Sequence, residues 1–163
     1  MEISMIENKQ DNVSSNIIDI LSTSNILTLH NINNKKQLFT KIADACEQNI
    51  NTSKSKFLSA LLDKEVNENS GIGEGVAIPN IQIDTIINMF GVFIKLNKPI
   101  NFNSIDNQPV DIIFSLISPQ DYHPTHLNIL AFLSRLFTNK KNVKNLRASI
   151  DKETIYAILA TKL

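Results

Sequence analysis

The sequence has no tryptophan, one cysteine and four glycines among 163 residues. One thiol, Cys46, excludes an intrachain disulfide and suits a reducing compartment. It falls at helical spacing among apolar residues, which favours a small buried side chain over a reactive one. Neither sign of charge is in excess, with sixteen acidic and sixteen basic residues. The totals therefore carry no pull toward nucleic acid or an anionic membrane. No apolar run approaches the ~18 residues that cross a bilayer. The first residues, MEISMIENKQDN, lack the apolar stretch of a signal peptide. These absences predict a cytoplasmic protein with no nucleic-acid and no membrane partner. There is no internal repeat and no Pro/Gly/Ser-rich linker, so a single domain is expected. No carboxylate or thiolate cluster completes a ligand set around His123 and His126, so no metal and no cofactor are expected.

What is present is an ordinary globular composition, 42% apolar and 20% charged, in a chain long enough for one substantial core. Ile26 to Leu29 reads as a short extended stretch. Asn33 or Asn34 caps a helix carrying Leu38, Phe39, Ile42, Ala45 and Cys46 on one side. Thr52 or Ser53 caps a second, with Phe57, Leu58, Leu61, Leu62 and Val66 as its stripe. The period then changes. Met89 to Leu96 reads as a strand, and Val110 to Ile117 is almost continuously apolar, as a strand covered on both faces should be. The turn-rich stretch between them has room for a short extra strand. Pro124 suits a first helical turn. Leu127, Leu130, Ala131, Leu133, Leu136 and Phe137 predict a well-buried helix. Val143, Leu146 and Ile150 mark a short one. Asp151 caps the last, which buries Ile155, Ile158 and Leu159. Helices, then strands, then helices predict an α/β (α+β) three-layer sandwich with helices on both faces of one sheet.

Three segments are specific together. Residues 71–80 read GIGEGVAIPN, residues 91–119 read GVFIKLNKPINFNSIDNQPVDIIFSLISP, and residues 125–136 read THLNILAFLSRL. They resemble the enzyme IIA proteins of the phosphoenolpyruvate-dependent phosphotransferase system, of the mannitol, fructose and nitrogen class. There the first segment has the form GIG-x-G-x-AIPH. The IDNQPVD stretch is most similar to the nitrogen branch. The resemblance covers about residue 24 to the C-terminus, and it implies that family's fold with a mixed central sheet. Residues 1–23 are then an N-terminal extension, partly disordered or a short helix, before a domain at 24–163. It also implies a chemistry. Family members take a phosphoryl group from the phosphohistidine of the carrier protein HPr. Sugar-specific members pass it to an enzyme IIB. Nitrogen-branch members use their phosphorylation state to regulate other proteins, including potassium transport and its sensor kinases.

Asn80 stands where the resemblance places the phosphate-accepting histidine. Imidazole is a good nucleophile near neutral pH and forms a labile N–P bond. A carboxamide nitrogen has its lone pair delocalised into the carbonyl. It can hydrogen-bond like imidazole but cannot carry a transferable phosphate. Either a natural pseudo-site or an engineered His→Asn change is compatible with this. His126, in THL, matches the family's second histidine, which flanks the phosphorylated one. His123 could be a substitute acceptor, and His30 reads as a surface residue. Lys64 stands where the family often has arginine, keeping the charge and losing the bidentate fork. The family's Gly-Ser-Thr is altered to Glu68-Asn69-Ser70, and Glu68 adds charge unfavourable to an anion. Ser70, Gly71, Gly73 and Gly75 are candidate phosphate-supporting positions, since glycines let backbone N–H groups approach an anion closely. A plain tight turn is the alternative. Asp111 reads as a structural acceptor at the start of a strand.

The expected activity is therefore a regulatory protein of the nitrogen-branch phosphocarrier type that accepts no phosphate at Asn80 and acts by binding proteins. Its expected partner surface is Ile72, Val76, Ile78 and Ile81. The alternatives are an active carrier, with histidine natural at position 80 or with His123 or His126 substituting, and a sugar-branch domain feeding an enzyme IIB.

Overall fold

A computed structural model of the chain describes residues 17–86 and 88–161. Most of the expected N-terminal extension, residues 1–16, lies outside the described residues. Residues 17–20 are helical, and Ile17, Ile20 and Leu21 are buried in one of the two cores.

Helices α1 (Lys35–Cys46) and α2 (Lys54–Asn67) follow strand β1 (Ile26–Leu29). Of the offered caps, Asn34 and Ser53 are used. The Asn34 side chain accepts from the Gln37 amide and Ser53 from the Lys56 amide. Three short strands come next: β2 (Gly71–Gly73), β3 (Val76–Ala77) and β4 (Asn80–Ile83). The two long strands are β5 (Phe90–Ile100) and β6 (Val110–Pro119). Helices α3 (His123–Thr138), α4 (Lys140–Ala148) and α5 (Lys152–Leu159) complete the chain. Asp151 caps α5, as expected, accepting from the Thr154 amide.

The sheet is mixed, in the order β1-β5-β6-β3-β2. β1 runs parallel to β5, and β5 runs antiparallel to β6. β3 and β4 lie end to end, both parallel, along the far edge of β6. Ile78 and Pro79 separate them, where proline has no N–H for a ladder. The Pro79 carbonyl still accepts from the Leu116 amide at 3.0 Å.

Alternation along the long strands makes two cores. Val92, Ile94, Ile113 and Ile117 pack with Leu38, Phe39, Ile42, Phe57 and Leu61 of α1 and α2. Phe93, Ile112, Phe114 and Leu116 pack with Ile129, Phe132, Leu133 and Leu136 of α3. Burial on both faces explains the unbroken apolar run of β6.

Some expectations are corrected. Val66 is exposed, and Glu65 takes the inward position, four residues beyond Leu61. Leu127 is half exposed and Ala131 exposed, so α3 buries one face only. Ile150 lies beyond the end of α4 and is exposed. Strands β2, β3 and β4 were not anticipated.

Candidate functional site

Three elements converge on Asn80, the first residue of β4. Lys64 comes from the last turn of α2 and His126 from the first turn of α3. Lys64 Nζ donates to the Asn80 carbonyl at 2.6 Å and to Asn80 Oδ1 at 2.8 Å. The same Oδ1 lies 3.0 Å from His126 Nε2. Asn80 Nδ2 donates to the Ile78 carbonyl at 3.0 Å. These partners leave the amide one orientation. Lysine can only donate and the carbonyl of Ile78 can only accept.

Hence His126 carries its proton on Nε2 and donates it to Oδ1. Its Nδ1 then accepts from the Ser118 hydroxyl at 2.6 Å. Burial, and secondarily the charges of Lys64 and His123, hold the His126 pKa down to about 4. The imidazole is therefore neutral at physiological pH. Burial also lowers the Lys64 pKa, with Glu68 and Glu65 opposing that shift.

A cavity of about 60 Å³ opens beside the cluster, lined by Lys64, Glu65, Glu68, Asn69, Ser70 and Asn80 with Leu61 and Pro79. It is smaller than the several hundred Å³ of a typical small-molecule pocket. The Ser70 hydroxyl is buried there and has no hydrogen-bond partner among the described residues. Glu65 is the buried brace of this wall. Its carboxylate accepts from the Ser70 amide at 3.2 Å and from Lys35 Nζ at 2.7 Å. Lys35 also sits 4.2 Å above the centre of the Phe102 ring.

The structure thus brings together Lys64, Ser70, Asn80 and His126 of the expected site residues. Gly73 and Gly75 belong elsewhere. Both have positive φ, and they turn the β2–β3 hairpin against Asp106 and Arg147. The amides of Gly71 and Glu74 are taken by Asn69 Oδ1 and Asp106 Oδ2. The tight-turn alternative accounts for these glycines. Asp111 accepts from Arg147, a structural role as expected. The expected partner surface is corrected in three of its four residues. Val76 and Ile81 are buried on the sheet strands β3 and β4, Ile78 is buried between them, and only Ile72 is exposed. Among the described residues no group of three or more His, Cys, Asp or Glu could hold a metal.

Ser118 and Gln82 were missed. Their signal was faint: a polar residue closing an apolar strand, and one spaced two from Asn80 on a strand not foreseen.

The family model described as phosphoenolpyruvate-dependent sugar phosphotransferase system, EIIA 2, matches residues 19–162. A nitrogen regulatory protein of Bradyrhizobium diazoefficiens is 35% identical over 144 residues, 88% of this chain and 94% of that protein. The crystal structure of nitrogen regulatory protein IIA-Ntr from Neisseria meningitidis aligns with TM-score 0.83 and 30% identity, covering 86% of this chain and 97% of that one. The mannitol enzyme IIA of Escherichia coli, solved in complex with phosphorylated mannitol enzyme IIB, aligns with TM-score 0.73 over 87% of this chain and 98% of that one. At 15% identity that is a likeness of fold alone.

Proposed function

This chain belongs to the phosphotransferase-system EIIA 2 family, and from that premise we propose that it is a nitrogen-branch regulatory protein that takes no phosphate at position 80 and acts by binding other proteins. The observation that carries this is the amide at the meeting point of Lys64 and His126. The surrounding side chains are in place for a phosphorylatable imidazole, and the nucleophile is absent. Lys64 spends two of its three donors on the Asn80 oxygens, and Glu68 adds negative charge to the cavity wall. Both weaken the site for a dianion.

In this proposal the protein is cytoplasmic. It meets an HPr-type carrier and regulates targets of the kind the family controls, in potassium transport or sensor kinases. Contact falls on exposed apolar residues: Tyr122 and Leu127 at the start of α3, the helix that carries His126, and Ile72 on β2.

The test is phosphorylation of the full chain with phosphoenolpyruvate, enzyme I and an HPr-type carrier, read by intact mass and site mapping. No label should fall on residue 80. Asn80→His should gain an acid-labile phosphate there, because His126 and Lys64 remain to hold it. A phosphate mapped to Asn80 of the unsubstituted chain would overturn the proposal.

A further inference from the structure

Asn80 and Gln82 lie two apart on β4 and so face the same side of the sheet. Opposite them, His126 and His123 lie three apart on α3 and share one helical face. The result is two parallel rungs. Asn80 Oδ1 meets His126 Nε2 at 3.0 Å, and Gln82 Oε1 meets His123 Nδ1 at 2.9 Å. Along the strand they stand about 7 Å apart.

The rungs differ in what they leave free. His126 is 3% exposed and both of its ring nitrogens are engaged. His123 is exposed. In the tautomer whose Nδ1–H donates to Gln82 Oε1, the lone pair is on Nε2, while Gln82 Nε2 is buried with no partner among the described residues. His123 Nε2 has no partner among the described residues.

We propose that His123 Nε2 is a phosphoryl-acceptor site, one rung away from Asn80, served by a phosphohistidine donor. The proposal rests on the preceding one in a single respect, the docking of a phosphohistidine carrier beside Asn80. The lone pair of Nε2 forms a bond to phosphorus, and the donor's N–P bond breaks with its electron pair returning to the donor ring. No proton moves to phosphorus. The His123 ring keeps its Nδ1 proton on Gln82 and takes up the positive charge that the protonated donor ring gives up. The helix terminus favours the product, and Asp121, two residues earlier in the chain, opposes it. His123 is the first residue of a 16-residue helix with no side-chain cap and no acidic residue in its first turn, and a helix N-terminus stabilises an adjacent dianion.

Two donors test this on the full chain: potassium phosphoramidate, which needs no docking, and a phosphorylated HPr-type carrier. Products are read by intact mass, by peptide mapping at alkaline pH and by phosphorus NMR, which separates the two ring isomers. The expected product is one acid-labile phosphate on His123 Nε2, formed at least tenfold faster than on the exposed His30 of the same chain. His123→Gln should lose it and His30→Gln should keep it. Gln82→Leu releases Nδ1, so a mixture of Nδ1 and Nε2 isomers should replace the single one, a change that a structural role for Gln82 would not produce. Equal labelling of His30 and His123, first labelling of His126, or an unlabelled His123 with phosphoramidate overturns the proposal. Label from phosphoramidate but not from the carrier keeps the acceptor and overturns carrier docking.

Discussion

The Asn80 side-chain oxygen takes two hydrogen bonds, one from a cation and one from a neutral imidazole. Protonating His126 would place a second positive charge in a buried site already holding Lys64. Its folded-state pKa, about 4, lies below the ordinary 6.5. A group depressed in this way contributes stability that is full above pH 6.5 and is lost as pH falls from 6.5 toward 4. The loss should reach about 3 kcal/mol, seen as a falling denaturant midpoint between pH 7 and 4.5 that His126→Gln flattens. Lys64→Met removes a charge that helps depress His126, and the imidazole titration followed by NMR should move upward. It should stop short of 6.5, because burial is the larger cause. At this scale the sequence shows Asn80, His126 and Lys64, through motif position. It hides Ser118 and Gln82, whose roles depend on the pairing of β4 with β6.

Helix ends and strand crossings set the elements that carry these residues. Asn34→Ala takes the acceptor from the Gln37 amide and should lower stability by about 1 kcal/mol in urea unfolding. Gly91 is more demanding. A Cβ there would lie 2.6 and 2.8 Å from carbons of the Phe114 ring, on the strand paired with it. Gly91→Ala should therefore destabilise by roughly 1–3 kcal/mol, the range of core overpacking. An unchanged melting temperature would contradict this packing. The longer periodic elements were legible: α1 to α5, β5 and β6 lie about where spacing places them, though β5 runs on to Ile100 through residues read as turn and α4 stops short of Ile150. Strands β2, β3 and β4 have three, two and four residues. That is too short for a period, and glycines interrupt the first hairpin. With them went the burial of Val76, Ile81 and, between the two strands, Ile78, which read as surface only because β3 and β4 were unseen.

Across the whole molecule, one sheet separates two cores, and each helical layer depends on it. Phe39→Ala on one face and Leu133→Ala on the other should each cost several kcal/mol. Both should lower the same single transition, measured by two probes, since neither layer has a sheet of its own. Glu65 links α1, α2 and the segment leading into β2 through Lys35 and the Ser70 amide. Glu65→Ala should lower stability by about 2 kcal/mol, because it leaves a partly buried ammonium and an amide unpaired. The sequence by itself determined the layered α/β class, through hydrophobic period, and the family, through the resemblance of three motifs, because both are carried by residues close together in the chain. Only the tertiary structure decided which histidine is sealed and which is open, and that Glu65 rather than Val66 turns inward. Those outcomes depend on where β4, α2 and α3 meet, and contacts between residues distant in the chain leave no period behind.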